Sequence, residues 1–120
     1  MRLAYIAGKY RDERGEYYVY ENILAARRVA AELWAMGFAV VTTHANAFLL
    51  GGALGIPASV WLKGDQEILS RCDLIVMVPG WESSAGASDE HSLADTLSIP
   101  RYYWPEDHGE LERVAKRPKL

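Results

Sequence analysis

The chain has 120 residues, half of them hydrophobic, with 13 Lys and Arg against 16 Asp and Glu and a formal charge of -3. That length predicts a single domain over 1–120, and the mildly acidic balance excludes a global pull toward polymeric nucleic acid or an anionic membrane, so an anionic ligand must be held by local groups. One cysteine, Cys72, excludes an intramolecular disulfide framework, no His/Cys cluster has zinc-ligand spacing, and no apolar run approaches the roughly 18 residues of a membrane span.

The opening residues run straight into a strand rather than a signal peptide, which predicts a cytoplasmic protein. Arg2 to Ala7, RLAYIA, reads as a central strand that stops at Gly8, followed by a charged loop from Lys9 to Gly15. Ile23, Leu24, Ala26, Ala30, Leu33 and Trp34 follow helical spacing, predicting a helix from about Tyr20 to Met36 ended by Gly37. Phe38 to Thr43 is β-branched and apolar, a second strand that ends in the polar cluster His44-Ala45-Asn46. Ala47 to Pro57 carries glycines at 51, 52 and 55 and reads as a short helical piece or an ordered loop.

Ser59 is placed to cap a helix from Val60 to Arg71, with Leu62, Ile68 and Leu69 toward the core and Trp61 and Asp65 sharing another side. Leu74 to Val78 is an apolar strand buried on both faces and broken by Pro79-Gly80. A turn of small and polar residues, Trp81 to Gly86, follows, and helical spacing resumes at Ala87 with Leu93, Ala94 and Leu97 on one side. Arg101 to Trp104 reads as a fourth strand ended by Pro105, and Glu110 to Lys116 as a last helix. The alternation predicts an α/β sandwich with a mainly parallel sheet of four or five strands ordered 2-1-3-4, its switch point between strands one and three.

Ligands of such sheets sit beyond the carboxyl ends of the strands. Tyr5 to Arg11, Thr43 to Asn46 and Gly80 to Glu90 converge there, and with Asp65 they supply carboxylates, a phenol, cations and small residues, the equipment for splitting a glycosidic bond. Glu90, expected in the first turn of a helix where the dipole favours ionisation, suits a nucleophile. Ser84 and Gly86, with backbone donors at that helix start, suit an oxyanion or phosphate. His44 either stacks on or bonds a base or serves as a structural histidine. Asp73 reads as a cap or pairing partner at its strand, and Asn22 as a link to the first loop or the start of the helix. Trp81 and Glu82 form a lid or an intersubunit contact, and the sequence does not choose. A dinucleotide-binding Rossmann enzyme is disfavoured because Gly-x-Gly-x-x-Gly is absent after strand one.

Tyr5-Ile-Ala-Gly8 with Arg11, Asp65 eight residues before Asp73, and Ser84-x-Gly86-x-x-x-Glu90 followed by a helix and Ile99-Pro100 form a pattern that resembles the nucleoside 2-deoxyribosyltransferase-like superfamily. The resemblance is nearest to small phage and bacterial members of unassigned function with a Pro-Gly-Trp-Glu-x-Ser-x-Gly loop, and extends to the deoxynucleoside 5'-monophosphate N-glycosidases. It implies a flavodoxin-like, Rossmann-like three-layer sandwich, a homodimer or larger homo-oligomer, and chemistry at C1' of a deoxyribose. By position it implies Glu90 as nucleophile, Asp65 as the acid near sugar and base, and Tyr5 as the phenol orienting Glu90. It also implies as phosphate ligands Arg11, in the loop after Gly8, and Ser84 and Gly86, after the third strand; Lys9, where the glycosidases commonly have a small residue, adds positive charge to the loop of Arg11. Transferases acting on free nucleosides tend to carry Asp where this chain has Ser84, and a carboxylate there would repel a phosphate. The expectation is therefore cleavage or transfer at the N-glycosidic bond of a nucleoside 5'-monophosphate through a covalent glycosyl-enzyme, with no cofactor and no metal. The alternative is a non-catalytic nucleotide-binding or sensing module on the same fold.

Overall fold

A computed structural model describes residues 1–119. In chain order it holds β1 (Leu3–Ala7), α1 (Glu16–Met36), β2 (Ala39–Thr42), α2 (Thr43–Leu50), α3 (Ala58–Ser70), β3 (Leu74–Met77), α4 (Ala85–Thr96), β4 (Arg101–Tyr103) and α5 (His108–Lys116), with short 3-10 turns at Ala53–Gly55 and Trp81–Ser83. The sheet has four strands in the order β2-β1-β3-β4, all pairs parallel. This is the predicted α/β topology, a Rossmann-like fold with its switch point between β1 and β3.

Strand alternation sorts the core into two halves. Ala4 and Ile6 of β1 join Leu74 and Val76 of β3 against Ala26, Val29 and Leu33 of α1 and Leu111 and Val114 of α5. Tyr5 and Ala7 join Ile75 and Met77 against Leu69 of α3 and Ala87 and Ala94 of α4. Helices therefore cover both faces, which is why β1 and β3 read as continuous apolar runs. Asp73 ties the base of the sheet: its carboxylate accepts the Leu3 N–H at 2.7 Å and pairs with Lys119 at 2.8 Å.

Several boundaries differ from expectation. Helix α1 starts at Glu16 rather than Tyr20, because a turn closed by the Gly15 N–H on the Asp12 carbonyl passes directly into it, with the Gly15 carbonyl accepting from Tyr18 and Val19. It ends as predicted at Gly37, whose φ of 108° suits glycine and lets the buried Phe38 N–H reach the Leu33 carbonyl at 3.1 Å. The polar cluster at His44 is not a loop but the first turn of α2. Ser59 does not cap α3, because the helix begins at Ala58 with Pro57 at the cap position. Leu62 and Leu97 face solvent rather than the core, at 54% and 44% exposure. Helix α4 starts at Ala85, with Ser84 as its cap, the Ser84 hydroxyl oxygen accepting the Ala87 N–H at 3.2 Å. Among the described residues no helix is long and apolar enough to cross a membrane.

Candidate functional site

A cleft of about 670 Å³ opens at the carboxyl ends of the parallel strands, walled by the β1–α1 loop, α2, α3 and the start of α4. Gly8, Lys9, Arg11, His44, Asp65, Ser84, Gly86 and Glu90 all line it. Tyr5 lies beneath it, fully buried, and its phenol donates a hydrogen bond to the Glu90 carboxylate. The sheet thus assembles the residues singled out from the sequence.

The acidic part of the cleft is set by burial. Glu90 is the sixth residue of α4, in its second turn, where the dipole no longer dominates. Burial, reinforced by the charges of Asp65 and Asp89 and opposed by the Tyr5 hydrogen bond, pushes its carboxyl up to about 7. This corrects the expectation of a dipole-held carboxylate in the first turn: desolvation outweighs the dipole. Burial, and then the neighbouring Glu90 charge, drive the Tyr5 phenol far above its ordinary range, so it stays a donor. Asp65, half-buried on α3 one turn after Trp61, is also raised by burial.

The cationic part comes from the β1–α1 loop. A Cβ on Gly8 would meet the Val78 Cβ at 2.9 Å, so the loop leaves β1 through a position only glycine fits. Asp12 is claimed by Arg14 through two side-chain contacts of 2.9 and 2.8 Å, with Lys9 more loosely placed at 3.5 Å. The Arg14 hydrogen bonds hold the Asp12 carboxyl well below the usual carboxylate range. Arg11 is exposed at the cleft and has no ion-pair partner among the described residues. Opposite, Ala85 and Gly86 open α4 with N–H groups that have no backbone acceptor, the usual state of a first helical turn. The Ser84 N–H is not free as expected: it donates to the Trp81 carbonyl at 3.0 Å.

Two side chains brace the loop. Asn22 donates to the Tyr10 carbonyl at 3.2 Å, and His44 Nε2 meets the Lys9 carbonyl at 3.1 Å. Because a carbonyl only accepts, Nε2 carries the hydrogen, and Nδ1 is left buried without a partner. Burial lowers the His44 pKa and keeps the ring neutral.

The remaining wall includes Asn46 and Trp61, expected near the strand ends and beside Asp65, and a glycine-rich stretch whose part in the cleft was not clear from the sequence. Ala47, Gly51, Gly52, Ile56 and Trp61, with the amides of Asn46 and Gln66, line it from α2 to α3. The irregular glycine spacing concealed that stretch; the usable signals were the polar cluster after β2 and the spacing of Trp61 to Asp65. Trp81 is outside the cleft, stacked on His91 at 4.4 Å, while His91 Nε2 bonds the Tyr103 hydroxyl at 2.8 Å. Neither Trp81 nor Glu82 covers the pocket. Among the described residues no group of three or more His, Cys, Asp or Glu side chains is placed to hold a metal ion.

The chain is thus an α/β protein whose candidate site is a switch-point cleft with a carboxylate pair on one side and cations on the other. The chain belongs to the family described as a domain of unknown function (DUF4406), whose model matches residues 3–103, from β1 through β4 and every cleft residue named above. No curated protein matches the sequence.

Proposed function

We propose that the protein breaks the N-glycosidic bond of a deoxynucleoside 5'-monophosphate, passing the sugar to water or to a second base. The Glu90 carboxylate attacks C1', the C1'–N bond breaks with its electron pair going to the base, and protonated Asp65 supplies the proton the departing base takes up. Water or an acceptor base then attacks C1', gives its proton to Asp65 and frees Glu90. Tyr5 orients the nucleophile. Lys9, Arg11, Ser84 and the N–H groups opening α4 receive the phosphate, with Gly8 and Gly86 allowing close approach.

The observation that carries this reading is the part-buried Tyr5–Glu90 hydrogen bond in the same cleft as a half-buried Asp65. A carboxyl raised to about 7 is substantially ionised at neutral pH yet poorly solvated, as a nucleophile requires. The residue roles follow those implied by the resemblance to the deoxyribosyltransferase-like superfamily. The reading is of a cytoplasmic homo-oligomer that takes a free nucleotide rather than a polymer and needs neither cofactor nor metal.

The test is incubation of the purified protein with each deoxynucleoside 5'-monophosphate, following free base by chromatography beside Glu90→Ala. Base release that vanishes in the variant supports the proposal. No release, with or without an acceptor base, overturns it, and saturable nucleotide binding without turnover would assign a binding module instead.

A further inference from the structure

Helix α4 carries Glu90 into the cleft, yet little in the core fixes the angle at which it lies. Its fully buried residues are Ala87 and Ala94, with Leu93 partly buried. Single methyl groups make shallow ridges that key poorly into a neighbouring layer, so they do not by themselves set the rotation of a helix about its axis. The residue after Glu90 supplies a second hold. His91 lies about 100° further round the helix. Its ring sits outside the cleft, stacked on Trp81 at 4.4 Å and 20°, and its Nε2 is 2.8 Å from the Tyr103 hydroxyl.

Both partners of that ring are themselves anchored. Trp81 opens the short turn after Gly80, its N–H donating to the Val78 carbonyl at 3.2 Å and its carbonyl accepting from Ser84 at 3.0 Å. Tyr103 ends β4 in register with Met77 of β3, and its N–H donates to the Asp107 carboxylate at 2.7 Å. The Trp81 and Tyr103 rings also lie together, 6.2 Å apart and tilted by 34°. Burial favours the neutral form of His91, and the charged groups that act on it, Arg101 of β4 and Asp95 of α4, pair with each other at 3.0 Å. Contact and hydrogen bonding hold the ring, between the turn that follows β3 and the edge strand β4.

We propose that His91 is a positioning residue: clasped by Trp81 and Tyr103, it sets the rotation of α4 that holds the Glu90 carboxylate on the Tyr5 phenol. Consecutive side chains then fix the helix from two directions, Glu90 through β1 and His91 through β4. A turn of about 20° moves a carboxylate roughly 6 Å from the helix axis by about 2 Å, enough to break its hydrogen bond. This role rests on the function proposed above only for what Glu90 does in the reaction, since the placement of its carboxylate can be read without substrate.

Titration of the Glu90 carboxyl carbon by NMR, in the full chain without substrate, tests it. The wild-type midpoint is expected near 7, and that of Tyr5→Phe above it, because the phenol that restrains Glu90 is gone. His91→Ala and Tyr103→Phe should each raise the midpoint by at least about half a pH unit toward that of Tyr5→Phe. Ser92→Ala, exposed on the same helix, should leave it in place. Circular dichroism checks that the variants fold; if His91→Ala does not, Tyr103→Phe, which removes a single oxygen, decides in its place. A midpoint unchanged or lowered in the deciding variant makes His91 a packing residue and overturns the proposal. Midpoints that move as expected in a protein that releases no base would count against the glycosidic chemistry alone.

Discussion

The phenol of Tyr5 in β1 donates its hydrogen bond to the carboxylate of Glu90 in α4, 85 residues further along the chain. Tyr5 is buried and Glu90 half-buried, and each sets the protonation of the other: Glu90 raises the phenol, and the phenol restrains the rise of Glu90.

Stability should depend on pH through Glu90. Its folded pKa of about 7 lies above the ordinary 4.5, so between these values the folded state binds the extra proton. The associated stability is present in full below about 4.5 and is lost as pH rises through about 7. Glu90→Gln removes the ionisable group while keeping an acceptor for Tyr5. Denaturant titrations should find the variant equal to wild type at pH 4 and more stable by about 2–3 kcal/mol at pH 8. A constant difference across this range would refute the assignment.

Catalysis should have the opposite dependence. If ionised Glu90 is the nucleophile and protonated Asp65 the acid, base release passes through an optimum with pH, and the limb set by Glu90 inflects near 7, where Glu90 titrates. Tyr5→Phe removes the hydrogen bond that lowers the Glu90 pKa, so the inflection should move to higher pH. At pH 8 the variant should also lose about 1–3 kcal/mol of stability, since a buried charge gives up its donor. An unmoved inflection would place the titrating group elsewhere.

The phosphate assignment separates from the fold through Arg11 and Ser84. Arg11 is exposed and unpaired among the described residues, so Arg11→Ala should leave stability within about 0.5 kcal/mol. It should weaken monophosphate binding by about tenfold at low salt, and less at high salt. Ser84→Asp retains a residue that caps α4 but sets a carboxylate against the phosphate. It should raise KM for the monophosphate while sparing the free nucleoside.

Two glycines should respond differently to the same change. Gly8→Ala forces a Cβ to 2.9 Å from that of Val78 and should cost about 1–3 kcal/mol in thermal or denaturant unfolding. A Cβ on Gly86 meets nothing nearer than the Ser84 Oγ at 4.0 Å, so Gly86→Ala should fold normally. A nucleotide-binding defect in Gly86→Ala by calorimetry would then report close approach of the ligand to the start of α4.

Much of this architecture was legible in the chain. Leu74 to Val78 and Arg2 to Ala7 read as central strands because both faces of β1 and β3 are buried and tolerate only apolar side chains. Tyr5, Ser84 and Glu90 were legible together because three strand ends must converge at one edge of a parallel sheet, whereas Asp65, on helix α3, joined them only through its spacing to Asp73 and the family resemblance. Helix α2 was legible only as a short helical piece or ordered loop from Ala47, since Phe48-Leu49-Leu50 meets solvent and is followed by glycines, leaving no core stripe to read. The exposure of Leu62 and Leu97 was hidden for a related reason: helical spacing says which residues share a face, but not how far a neighbouring element extends over it.

Glu90 marks the division most clearly. Its place on a helix after Ser84-x-Gly86 follows from spacing along the chain, where neighbours dictate local geometry. Its protonation does not, because desolvation sums over atoms from β1, α3 and α4 that only packing brings together, and here that sum outweighs the helix dipole. Periodicity is a property of adjacent residues and survives in one dimension; burial and hydrogen-bond partnership are properties of distant ones and come into being only when the sheet and helices close on each other.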